Sequence, residues 1–122
     1  MGLDMDIVKF SKEFFDTNAT ADLINRSVDY NDAQDNYEQL AYYRKGYLAQ
    51  YKLCDDFGME NQLVYYELTK PILESLRDNP VDFDEDESEY QKECYQRFLK
   101  DITKILEDTD FNKEVISYKW IS

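Results

Sequence analysis

The stretch Phe111-Asn112-Lys113-Glu114-Val115-Ile116-Ser117-Tyr118-Lys119-Trp120-Ile121-Ser122 can be read two ways. Phe111, Val115 and Tyr118 fit one helical face, whereas Ile116, Tyr118 and Trp120 alternate as in a strand. We take the helical reading, a short helix packed on the bundle.

The strongest such spacing lies immediately upstream. Cys94, Tyr95, Phe98, Leu99, Ile102, Ile105 and Leu106 form one broad apolar stripe, and Lys92, Glu93, Gln96, Lys100, Lys104 and Glu107 occupy the other face. Ser88, with Gln91 three positions later, reads as a capping box that starts this fifth helix. Before it, Leu63, Val64, Leu68, Ile72, Leu73 and Leu76 predict a fourth helix, with a kink or restart at Pro71. A long central third helix is expected from about Ala33 to Phe57, stopped by Gly58, with Arg44 pairing with a carboxylate or snorkelling outward. Ala21, Leu23, Ile24 and Val28 support a short second helix, separated from the third by the polar turn Asp29–Asp32. Leu3, Ile7, Phe10 and Phe14 predict a first helix over Asp4–Asp16.

The fold expected from these segments is all-α, a single domain of residues 1–122 built as a bundle of five or six helices. Three glycines and two prolines leave little turn chemistry for a sheet of many short strands. Hydrophobic residues make up 43% of the 122, enough for a real core, so the low mean hydropathy reflects the 34% charged fraction. Cys54 and Cys94 sit within helical patterns and are expected to pack as small hydrophobes. No apolar stretch in the opening residues suits a signal or a membrane span, so the expected location is the cytoplasm.

Chemistry of its own is not expected. Histidine is absent, which removes the commonest general base and metal ligand, and there is no Gly-rich phosphate loop or paired-cysteine metal spacing. Neither a catalytic residue nor a cofactor is therefore assigned. Asp82, Asp84, Asp86 and Glu93 match positions 1, 3, 5 and 12 of a calcium loop, but Glu87 stands where that loop requires glycine, and no metal site is assigned.

The net charge of −13 argues against nucleic acid or an anionic membrane as a direct ligand, since phosphates would repel it. From Asp78 to Glu93, eight carboxylates stand against Lys92 alone, a net −7. Carboxylates favour a first helical turn, but eight exceed what a helix start requires. Asp82, Asp84, Glu85, Asp86, Glu87 and Glu89 are therefore candidate partner-binding residues. Asp29, Asp32 and Asp35, with Glu38 nearby, form a second acidic cluster around the start of the third helix. Eleven tyrosines are many for this length, and Tyr30, Tyr42, Tyr43, Tyr65, Tyr66 and Tyr90 do not all fit buried stripes, whereas Tyr37, Tyr47, Tyr51 and Tyr95 are expected mostly in the core. Tyr30 and Tyr90 lie beside the two acidic clusters and complete the candidate surface.

The expected function is that of an acidic inhibitor whose partner is a basic protein, a toxin or nuclease, with an immunity protein or antitoxin as the leading type. A phage-type nuclease inhibitor or nucleic-acid mimic is the near alternative. The competing class is an adaptor or structural module that binds through an apolar surface, with acidity serving solubility. The sequence leaves the oligomeric state open.

Overall fold

Asp4–Ser11 is a strand, β1, and not the start of a helix. Met5 and Ile7 point to one face and Val8 and Phe10 to the other, and all four are buried. Residues 4–7 and 8–11 each alternate polar and apolar, but the apolar positions change face between Ile7 and Val8, so the apolar residues also matched a helical spacing. The computed structural model describes residues 2–17 and 37–122, with Asp16 and Thr17 described in backbone only. The expected second helix and the polar turn at Asp29–Asp32 lie outside the described residues.

A short helix, α1 (Lys12–Thr17), follows β1. The stretch expected as one long third helix is two elements, strand β2 (Tyr37–Arg44) and helix α2 (Tyr47–Phe57). Aromatic-rich Tyr37–Tyr43 suits an extended ladder, and Lys45, with φ +58°, turns the chain before Gly46 opens the helix. Gly58 closes α2 in the left-handed conformation, with its N–H on the Cys54 carbonyl at 3.0 Å, as its position suggested.

No helix runs from Leu63 to Leu76. Tyr66–Glu67 form strand β3, and α3 (Lys70–Asp78) begins only afterwards. Thr69 caps α3, accepting from the Ile72 N–H at 3.3 Å, and Pro71 sits in the first turn, where its missing N–H leaves no helical bond unmade. Helix α4 (Glu89–Asp108) forms where its stripe predicted, and Ser88 accepts from the Gln91 N–H at 3.1 Å. The box is only half closed, because the Gln91 side chain donates to the Lys45 carbonyl at 2.7 Å instead.

The tail decides the fold, and it is strand β4 (Glu114–Ile121). Among the described residues, four strands form one antiparallel sheet in the order β2-β1-β4-β3, with β1 and β4 paired from Asp4↔Ile121 to Ser11↔Glu114. An α/β architecture therefore replaces the expected all-α bundle. Beside β1, the ladder of β2 slips at Leu40, since Ile7 faces Ala41 and Val8 faces Gln39.

Helices α2, α3 and α4 cover one face of the sheet. Leu53, Leu73, Leu76, Tyr95, Phe98 and Ile102 pack there on Met5, Ile7, Tyr43, Ile116 and Tyr118. Full burial of each such aliphatic or aromatic side chain contributes about 1.5–3 kcal/mol. Polar contacts set the helices on the sheet: Tyr118 donates to Gln50 of α2 in the buried core, and Tyr43 donates to half-buried Asp101 of α4 at 2.6 Å. The opposite face carries Val8, Phe10, Phe15, Tyr65 and Val115, with Phe10 ringed by Phe14, Phe15, Tyr37 and Tyr65.

Among the described residues, no helix is long and apolar enough to cross a membrane. Both cysteines are free, Cys94 buried and Cys54 half-buried. Arg44 is exposed at the end of β2.

Candidate protein-binding surface

The acidic segment is a loop between α3 and α4, held at several points. At its start, Asn79 caps α3 with its backbone N–H on the Ser75 carbonyl at 2.9 Å. Val81 donates its N–H to the Tyr95 hydroxyl at 3.1 Å, and the Phe83 ring meets Tyr95 edge-on at 6.1 Å. A tight turn joins the Glu87 N–H to the Asp84 carbonyl at 3.1 Å, and Ser88 then caps α4. Half-buried Val81 and Phe83 face the core, which leaves Asp82, Asp84, Glu85 and Asp86 turned to solvent.

These four carboxylates and half-buried Glu87 have no ion-pair partner among the described residues. Exposed Glu89 has only Lys92 at 3.6 Å, a surface pair of little net strength. Asp78, by contrast, is clamped by its neighbour Arg77 at 2.8 and 3.2 Å, and that guanidinium holds its carboxyl below the usual range. A backbone anchored in the core thus presents a concentration of unneutralised negative charge. Such a surface attracts ammonium and guanidinium groups, and little conformational freedom is lost when they pair.

Tyr90, at the edge of this loop, is 50% exposed and donates its hydroxyl to the Arg44 carbonyl. With Gln91 bonded to Lys45, it ties the start of α4 to the corner between β2 and α2. Two further tyrosines follow on α2, where Tyr47 and Tyr51 are 37% and 59% exposed with rings 6.1 Å apart. These were expected in the core. On a helix that begins at Tyr47 they fall with Asp55 on one outward stripe, a pattern hidden when α2 is read as the end of a longer helix. Of the tyrosines that did not fit buried stripes, Tyr42 is 46% exposed, but Tyr43 and Tyr65 are buried. Burial, reinforced by Asp101, pushes the Tyr43 phenol far above its ordinary range.

Asp29, Tyr30, Asp32 and Asp35 lie outside the described residues. Glu38, the described neighbour of that cluster, pairs with Lys9 at 3.2 Å. It lies roughly 20 Å along β2 from Arg44, and so from the Tyr90 end of α4. Glu38 therefore does not extend the loop's surface. No group of three or more metal-ligating side chains is gathered among the described residues, the calcium-template positions included.

A cleft opens near Glu38, between β2 and the C-terminal half of α4, with a volume of about 380 Å³. Sequence spacing gave no sign of it, because its two walls come from elements distant in the chain.

Fold and surface together define an α/β protein whose described residues form a four-stranded antiparallel sheet with helices α2, α3 and α4 on one face and an anchored acidic loop. Comparison with family models, with curated proteins and with solved structures returns no match, and these comparisons lend the immunity or antitoxin type no support.

Proposed function

We propose that this protein binds a basic partner through the α3–α4 loop and neutralises it by covering a cationic, phosphate-binding surface, as an inhibitor of a nuclease would. The observation that carries this reading is the set of unpaired carboxylates on a loop whose backbone is anchored by Val81, Phe83 and Ser88. A surface built to attract phosphate must be positive, and negative groups held in place compete for it with fast, steered association. Exposed Tyr90 supplies an apolar contact beside the charges.

The test is retention of proteins from the source organism's lysate on the immobilised chain at low and then moderate salt. A basic protein released by salt, with a nucleic-acid-processing activity that the chain inhibits, supports the reading. A second reading, an adaptor that docks through an aromatic surface, draws on the exposed Tyr47–Tyr51 pair. It requires retention that salt does not disturb and that Tyr51→Ala weakens.

A further inference from the structure

The bulge at Leu40 sits where β2 and α4 border the cleft, and Leu40 and Ile105 give that cleft an apolar lining. Its volume of about 380 Å³ is in the range of small-molecule sites. Along α4, Asp101, Lys104 and Asp108 line it in succession.

The charges in the cleft divide into two groups. Lys9 is already engaged, with Glu38 at 3.2 Å and Glu114 at 2.9 Å. Asp101, Lys104 and Asp108 make no ion pair among the described residues, although each is about one helical turn from the next. Lys104 preceding Asp108 is the weaker order for a helical pair, which favours separate use of the two charges. The buried Tyr43 hydroxyl holds one oxygen of Asp101, fixing that carboxylate and leaving its other oxygen open to a second contact.

We propose that the cleft binds a small zwitterion, an aliphatic amino acid. Its ammonium meets Asp101, its carboxylate meets Lys104 one helical turn on, and its side chain lies on Leu40 and Ile105. Both signs of charge and an apolar surface face one space, and a ligand of this class satisfies all three together. The site is independent of the acidic loop, since Tyr90 and Lys104 are roughly 20 Å apart along α4.

The experiment is titration of the isotopically labelled protein with L-leucine, N-acetyl-L-leucine and L-leucinamide, followed by amide chemical shifts. The expected result is saturable shifts at Gln39, Leu40 and Asp101 to Thr109 with leucine, and none with the two blocked forms at the same concentration. Lys104→Gln, at an exposed position, keeps the native spectrum and weakens binding about tenfold. Absence of shifts with leucine overturns the proposal, as does equal binding of a blocked form or unchanged affinity in Lys104→Gln. Capture of a basic partner by the loop is read separately and is unaffected by any of these results.

Discussion

Gly46 and Gly58 bound α2 for different physical reasons. A Cβ at Gly46 would lie 2.9 Å from the Met5 sulfur and 3.3 Å from the Cys94 sulfur, so the residue is small because strand and helix close on it. Gly58 has open space around it but a φ of +68°, which an L side chain adopts only under strain. Gly46→Ala is expected to cost about 1–2 kcal/mol, limited by the freedom of the methionine to move. Gly58→Ala is expected to cost about 1 kcal/mol from backbone strain alone. Denaturant midpoints check both, and combining Gly46→Ala with Met5→Ala should reveal coupling that Gly58→Ala lacks. Tyr43 offers a second test. Tyr43→Phe keeps the ring between strand and helix but removes the donor to Asp101, and a stability loss of about 2 kcal/mol is expected. A loss within experimental error would mean that water replaces the phenol.

Among the elements, β1 is tied to both neighbours by one side chain. Lys9 reaches Glu38 on β2 and Glu114 on β4, and its ammonium, aided by the Asp110 N–H, holds the Glu114 carboxyl below its usual value. The hydrogen bonds to Glu114 and Glu38 raise Lys9 in turn. A carboxyl depressed in the folded state contributes stability that is full above its unfolded value of about 4.3 and is lost as pH falls through the folded one. A raised lysine contributes stability that is full below about 10.4 and is lost as pH rises through its folded value. Lys9→Met should therefore differ most from the parent at neutral pH and converge with it in acid and again in strong alkali. Urea midpoints across pH measure this, and a constant difference would exclude the ion pairs as its source. The α3–α4 loop is the other element under test. Removing the ring that meets Tyr95, by Phe83→Ala, is expected to lower stability by about 1–2 kcal/mol, less than for a fully buried phenylalanine. The same change loosens the backbone that carries Asp82 to Asp86, so partner dissociation should quicken while the charge is unaltered.

For the whole molecule the governing quantity is its charge of −13 and where that charge is concentrated. Reversal of Asp84, Glu85 and Asp86 to lysine should slow association with the basic partner about tenfold or more and flatten its dependence on salt. Stopped-flow rates at several ionic strengths provide the measurement. Association unchanged by the triple reversal would remove the loop from the account, and a slower rate with the salt slope intact would place the effect in folding or shape.

The sequence by itself determined the local and the global extremes. The stripe from Cys94 to Leu106, the Ser88 cap, the stop at Gly58 and the density of carboxylates from Asp82 to Glu89 are properties of neighbouring residues, and the structure contains each of them. Only the tertiary structure decided that Asp4–Ser11, Tyr37–Arg44 and Glu114–Ile121 are strands. The central pair, β1 and β4, joins segments more than a hundred residues apart, β4 is buried on both faces, and the apolar positions of β1 change face at Ile7/Val8, so neither local contacts nor a sustained polar alternation announced it. Val115, Ser117 and Lys119 face one side of β4 while Ile116 and Tyr118 face the other, all five buried, and this run matched a helix as well as a strand until partners were supplied. The same cause moved Tyr47 and Tyr51 from the expected core to the surface, because the boundary between β2 and α2 sets which face α2 presents. The cleft at Leu40 and Asp101 was invisible for a related reason: a cavity depends on how distant segments meet, and that meeting is fixed by long-range pairing.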